Sequence, residues 1–329
     1  MLRVAVIGVR DTGNLHADCY QSSPHAQVAA VCDLVHERAD ASAERLGVRG
    51  YYNMHEMLAN EEINLVDVCT GGRENGGDHY APVMAALEAG KHVLCETPLS
   101  NSLEHAREMV ARARDRKLCL GTNLNYRFTP LCRKARQWID EGKLGEINLV
   151  SRSLWTSHDK DDEWFHLRAL LPQSVDVLRY VLGEIRFVQS FLKRSEGRTC
   201  WTNVAINLRF ESGVVGSLLG SQDVTGSDPI DRTEIVGTRG RLVLENVVED
   251  LWFYPQDSDG VSHLHASDFP EARTIADTYR HRLDSFCEHV AGGIAPEQVE
   301  ASGEDGVRAQ EVIEAAIRSH QTGQVVEVK

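Results

Sequence analysis

Between residues 1 and 122 short apolar runs and helical patterns take turns along the chain, and this alternation restricts the fold more than any other feature. The runs "RVAVIG", "QVAAVCD", "INLVDVCT", "HVLCE" and "LCLGTN" are β-branched or otherwise apolar, each closed by a polar residue or a glycine. Between them lie the helical patterns "HERADASAERLG", "HYAPVMAALEAG" and "SLEHAREMVARARDRK". The first two stop at Gly47 and Gly90, as helix C-termini tend to. Strands that are apolar almost throughout need cover on both faces. The pattern therefore predicts a parallel, doubly wound α/β sheet over residues 1–122.

From residue 123 the rhythm changes. The helix "PLCRKARQWIDEGKLG" leads into "EINLVSRSLWTS", and a further helix follows at "ALLPQSVDVLRYVLG". Strand-like runs then come in series: "EIRFVQSFLKR", "WTNVAINLRFESG", "VVGSLLGSQ", "RTEIVGTRG", "RLVLEN" and "DLWFYPQ". Turns at Glu211-Ser212-Gly213 and Thr238-Arg239-Gly240 suit hairpins. Two helices close the chain, the last with a capping pattern at Ser302 and Asp305 and a stop at Gly323. Residues 123–329 thus read as an α+β domain with a large, mostly antiparallel sheet and helices on one face. The other face needs cover, which points to oligomerisation.

A length of 329 residues accommodates two domains, each with its own core. The net charge of −14 and the lack of basic clusters exclude a nucleic-acid backbone as the main partner. No apolar stretch approaches membrane-spanning length, and "MLRVAVIGV" reads as a strand rather than a signal segment. Eight scattered cysteines without a CxxC pair read as reduced thiols of a cytoplasmic protein.

"VIGVRDTGNLHA" follows the first strand and opens a helix, the context of a dinucleotide fingerprint. Gly8 and Gly13 keep the first and third glycine positions of GxGxxG, while Arg10 takes the second. That second glycine normally clears room for a pyrophosphate; a Cβ at Arg10 intrudes, and its guanidinium offers a phosphate partner instead. Asp33 ends the second strand, where a carboxylate accepts hydrogen bonds from the adenosine ribose and repels a 2′-phosphate. It favours NAD over NADP; capping the helix near Val35 is the alternative reading. Thr70, which closes "INLVDVCT", and Glu96 and Pro98, after "HVLC", complete the candidate cofactor contacts.

Five blocks, "VIGVRDTGNLHA", "DHYAPVMAALEAGKHVLCETPLSN", "NYRFTPLCRKARQWIDEGKLGEI", "DVLRYVLGE" and "GEDGVRAQEVIEAAIRSHQTGQVVEV", occur in this order. Together they resemble the Gfo/Idh/MocA oxidoreductase family, relatives of glucose–fructose oxidoreductase and inositol dehydrogenase, nearly end to end. The resemblance implies a Rossmann domain, a bound NAD(P), a sugar, polyol or related substrate, and a C-terminal sheet that makes homodimer or homotetramer contacts. It also implies a Glu-Lys-Pro turn and an Asp and a His four residues apart. Here "CETPLS" has Thr97 in place of the lysine, and anchoring on Asp176, Arg179 and Gly183 puts Gln173 at the His position and Ala169 at the Asp position.

Hydride transfer from a carbinol also requires moving the hydroxyl proton. Lys, His and Asp can be tuned to hold it; Thr97, Gln173 and Ala169 cannot. "SLWTSHDKDDEWFHLR" offers His158 and His166 as substitute acid/base groups, because imidazole titrates near neutrality; a solvated charged loop is the alternative. Tyr126 and Arg127 of "NYRF", with Asp176, are candidate substrate contacts; Arg127 has a structural pairing as its alternative. Trp155 and Trp164 read either as a sugar platform or as core. The glycine-rich "TGGRENGGD" before His79 reads as a cofactor loop, a lid or plain surface. No metal constellation stands out; "HLH" at 263–265 lies in a stretch that reads as loop. Two functions remain: an NAD-dependent oxidoreductase with an altered proton path, or a non-catalytic nucleotide- or sugar-binding regulator, for which the family offers a galactose-pathway repressor as precedent.

Overall fold

A computed structural model describes residues 1–71, 78–160, 162–224, 230–257, 260–269 and 274–329. The chain divides into one unit of Met1–Asn125 with Tyr279–Arg308 and a second of Tyr126–Thr278 with Ala309–Lys329.

In the first unit the elements are β1 (Leu2–Ile7), α1 (Asp11–Ser22), β2 (Ala26–Cys32), α2 (His36–Leu46), β3 (Arg49–Tyr51), α3 (Met54–Asn60), β4 (Leu65–Val68), α4 (Tyr80–Glu88), β5 (His92–Cys95), α5 (Leu103–Arg116) and β6 (Leu120–Thr122). The strands form one parallel sheet in the order β3-β2-β1-β4-β5-β6. Successive side chains of a strand point to opposite faces, and both faces are apolar here. Ala5, Ile7, Val66, Val68 and Val93 pack with Met57, Val83, Leu87 and Met109 from α3, α4 and α5. Val4, Val6, Leu65 and Leu94 pack with Ala17 and Tyr20 of α1. The strand order reverses between β1 and β4, and the carboxyl ends of the strands at such a switch point are where doubly wound sheets bind ligands.

The second unit contains α6 (Pro130–Asp140), β7 (Ile147–Trp155), α7 (Pro172–Leu182), β8 (Ile185–Lys193), β9 (Asn203–Phe210), β10 (Val215–Ser221), β11 (Ile230–Gly237), β12 (Gly240–Glu245), β13 (Asp250–Pro255) and β14 (Ser262–His265). The chain continues through α8 (Ile275–Ala291), α9 (Gly303–Thr322) and β15 (Val326–Glu327). The sheet runs β14-β13-β12-β11-β7-β10-β9-β8-β15, with only the β7–β10 pair parallel among its described pairings. One face buries Val150, Ile206, Leu208, Leu218 and Ile235 against Leu131 and Trp138 of α6, Val175 and Leu178 of α7, and Val312 and Ala316 of α9. The opposite face leaves Leu149, Phe191, Val215 and Leu219 exposed. The two sheets, one parallel and one mostly antiparallel, are those the sequence predicts.

Three details differ from the sequence reading. "HLH", read as loop, lies in β14, an edge strand paired only with β13; its side chains are mostly exposed, so it carries no apolar signal. The three-residue β3 and the seven-residue α3 pass unread because they are short. Residues 279–308, left in the second domain by the sequence, pack with the first: Leu283, Phe286 and Cys287 of α8 join the α1 side of the parallel sheet. Each such buried side chain contributes roughly 2 kcal/mol. The expected boundary at 122/123 falls three residues before the division at Asn125.

Candidate functional site

At the switch point the chain turns from β1 into α1 through Gly8, whose φ is +88°. A Cβ on Gly8 would lie 2.8 Å from the Cys69 and Thr70 backbone, and one on Gly13 would lie 1.9 Å from the Gly8 carbonyl oxygen. Only glycines allow this approach, which presents the N-terminus of α1 with its unsatisfied N–H groups at the carboxyl end of β1, inside the sheet. Arg10 is the residue before α1, with φ −86° and ψ −152°, a conformation that does not require glycine. Its side chain is largely exposed and pairs with Asp11, Nε to carboxylate 3.3 Å. Asp33 closes the other side: Oδ2 accepts the Val9 N–H at 3.0 Å and Oδ1 the Val35 N–H at 2.9 Å. It caps the following segment, as one reading had it, while each oxygen keeps a further lone pair for a ribose hydroxyl. The Thr70 hydroxyl donates to the Asp78 carbonyl at 2.7 Å. Residues 72–77 of the glycine-rich loop, and Asp161 of the charged run, lie outside the described residues.

The Glu96-Thr97-Pro98 turn leaves β5 with a cis Thr97–Pro98 bond. Glu96 points inward: Oε1 accepts from Asn123 Nδ2 at 2.5 Å and lies 2.9 Å from His16 Nε2, and Oε2 accepts the Thr97 N–H at 3.0 Å. These partners hold its carboxyl below the usual range although burial pushes the other way. The other ring nitrogen of His16, Nδ1, lies 2.8 Å from Asp67 Oδ2 and 3.3 Å from Cys69 Sγ. His79, at the start of α4, is buried and bonds the Pro98 carbonyl through Nδ1 at 2.7 Å. Burial lowers its pKa, so a neutral ring donating Nδ1–H fits the contact. His16 and Asp67 escaped the sequence reading. The available signal was an acid inside the otherwise apolar run "NLVDVCT", which a buried parallel strand tolerates only with a partner.

His16, Asp67 and Cys69 are the one group of potential metal ligands within 4.8 Å of one another among the described residues. Their separations are those of hydrogen bonds, and burial pushes the Cys69 thiol far up, away from the thiolate a metal needs. The arrangement is a buried hydrogen-bonded cluster. A separate hollow of about 510 Å³, lined by Val110, Arg114, Leu118, Pro296 and Glu304, contains none of the residues discussed.

In the second unit Arg127 forms a bidentate pair with Asp176: Nε donates to Oδ2 at 2.8 Å and Nη2 donates to Oδ1. Both side chains are buried, and the guanidinium also lies over the Tyr180 ring, 5.2 Å from its centroid. The fork of Arg127 is thus engaged structurally. Burial raises the Tyr126 phenol to about 12, so it remains a neutral hydrogen-bonding group. His166 stands in a π-helical turn, His166–Leu170, with Nδ1 3.3 Å from the Trp201 carbonyl and Nε2 without a partner. Burial drops its pKa to about 4. His158 is only partly buried, packs on Phe165 with centroids 4.8 Å apart, and has its pKa lowered by burial. Gln173 occupies the first turn of α7 and Ala169 the π-helical turn. Trp155 is exposed at the end of β7, whereas Trp164 is partly buried beside Trp201, centroids 6.1 Å apart.

Comparison with known proteins gives matches to two family models: "Oxidoreductase family, NAD-binding Rossmann fold" over residues 2–124 and "GFO/IDH/MocA C-terminal domain" over residues 132–243. The chain is 27% identical to a myo-inositol 2-dehydrogenase of Thermotoga maritima, over 94% of this chain and 93% of that protein. It is 25% identical to an inositol 2-dehydrogenase of Rhizobium meliloti, over 97% and 96% of the two chains. A solved levoglucosan dehydrogenase, in complex with NADH and levoglucosan, shares the fold with a TM-score of 0.89 at 22% identity, covering 100% of this chain and 99% of that one.

Proposed function

The chain belongs to the Gfo/Idh/MocA oxidoreductase family, with an NAD-binding Rossmann domain, and we propose that it is an NAD-dependent oxidoreductase of a sugar, polyol or related hydroxyl compound with an atypical proton path. The observation that carries this reading is the cradle at the switch point. Gly8 and Gly13 have no room for a Cβ, the α1 N-terminus is open, and the Asp33 carboxylate stands beside the turn. Bound there, a nicotinamide cofactor supplies the hydride acceptor or donor. In this reading the α1 N–H groups and Arg10 hold the pyrophosphate, Asp33 holds the adenosine ribose in preference to a 2′-phosphate, and Thr70, Glu96 and Pro98 border the cofactor. The names of relatives that act on inositol and levoglucosan support a polyhydroxylated substrate.

Thr97, Gln173 and Tyr126 offer hydrogen bonds to such a substrate without storing its proton. The Arg127–Asp176 pair serves as a rigid support for that side of the second unit. Of the two candidate histidines, His166 is neutral and buried at working pH, so His158 is the better acid/base group. The exposed apolar face of the nine-stranded sheet supports self-association as a dimer or tetramer. A non-catalytic regulator is the second reading. Thr97, Ala169 and Gln173 at the expected lysine, aspartate and histidine positions favour it, as does an arginine already spent on Asp176.

Calorimetric titration with NADH and then NADPH tests the proposal. Roughly micromolar NADH binding, with NADPH weaker, is the expected result. No binding to either sinks the oxidoreductase reading. NADH binding without oxidation by a panel of keto-sugars and inosose-type ketones selects the regulator.

A further inference from the structure

Asp67 sits in β4, all four of whose residues are buried, and His16 is fully buried on α1. The imidazole stands between two carboxylates, Nδ1 against Asp67 at 2.8 Å and Nε2 against Glu96 at 2.9 Å. Only the doubly protonated ring donates to both at once. We infer that His16 is a positioning residue whose imidazolium, clamped between Asp67 and Glu96, couples the helix that opens at the glycine turn to the Glu96-Thr97-Pro98 turn. The inference rests on the cofactor reading above.

The chain of contacts is continuous. His16 lies on the first two turns of α1, whose N-terminus forms the cradle. Through Nε2 it holds Glu96 Oε1, which also takes the Asn123 amide, while Glu96 Oε2 takes the Thr97 N–H. On the far side Asp67 anchors the ring to β4. A shift of α1 therefore moves the backbone that carries Thr97, and the reverse holds as well.

Other groups face the ring: Cys69 after β4, Cys19 on α1, and Tyr279 on α8, whose ring centroid is 5.3 Å away; Tyr20 of α1 lies on the Asp67 side. Burial is the largest single influence on His16 and opposes its charge. The polar neighbours Cys69 and Asp67 push the other way, and the pKa lies above the ordinary value. The upward shift favours the charged clamp, which is lost as pH rises through the pKa of the folded protein.

The test compares His16→Gln, Glu96→Gln and the double variant with the wild-type chain. NADH affinity is read by fluorescence from pH 7 to 10, with circular dichroism confirming the fold. The expected result is a roughly tenfold weaker NADH affinity in each single variant at pH 7, and no further loss in the double. The wild-type affinity should decline at alkaline pH toward the variants, whose profiles stay flat. Unchanged affinity in His16→Gln, additive losses, or a flat wild-type profile each overturn the inference. Should His16→Gln fail to fold, Glu96→Gln and the wild-type pH profile decide alone. A wild-type chain that binds no NADH at any pH refutes the proposed function instead, and wild-type binding with indifferent variants refutes only the clamp.

Discussion

His166 and Gly220 meet inside the second unit so closely that a Cβ on the glycine would stand 2.8 Å from Nε2 of the ring. That nitrogen is buried without a hydrogen-bond partner, and burial holds the ring neutral down to a pKa of about 4. The sequence presents His166 as a group that titrates near neutrality; burial, which no local pattern announces, reverses that. The sign of the stability effect follows from linkage. The folded pKa lies below the unfolded one, so the unfolded chain takes up the proton first, and stability falls as pH drops from 6.5 to about 4. The loss amounts to at most about 3 kcal/mol. Urea unfolding at pH 7 and at pH 5 should show this decline in the wild-type chain and a smaller one in His166→Gln. Equal slopes would remove His166 as its source. At the same scale Gly8, Gly13, Asp33 and Glu96 were readable because their spacing is local. His16 was not, because its partner Asp67 lies 51 residues away and only the fold joins them.

Elements were legible where burial imposes a period. The strands of the parallel sheet are apolar nearly throughout, and Gly47 ends α2 with φ +67°. α5 instead ends at Lys117 with φ +54°, a left-handed position that carries no glycine to mark it. The nine-stranded sheet shows the same logic on its exposed side. Phe191 on β8 is 62% exposed and Val215 on β10 is 47% exposed, with β9 between their strands; Leu149 of β7 pairs with Val215, and Leu219 lies further along β10. Arg232, Glu234, Glu245 and Arg241 form ion pairs on β11 and β12. A face that mixes open apolar area with paired charges is suited to a second copy of itself. Light scattering after size exclusion should give a dimer or tetramer mass, and Leu219→Glu should lower it with the far-ultraviolet spectrum unchanged. A monomeric wild type would rule this out.

For the whole molecule the chain order and the packing order differ. Hydrophobic periodicity identifies α8 as a helix but cannot say which sheet receives Leu283 and Phe286; that is settled by tertiary competition, and residues 279–308 return to the first unit. The count of two units was readable from the change of rhythm at residue 123. All eight cysteines, spread over both units, are buried, and none is in a disulfide. Under native conditions a thiol reagent therefore has nothing to react with until the chain opens. The rate of labelling becomes a clock for that opening, and the identity of the first cysteine modified tells which unit opens first. Slow labelling of all eight together would mark a single cooperative event, whereas early labelling of Cys132 or Cys200 alone would mark independent opening of the second unit.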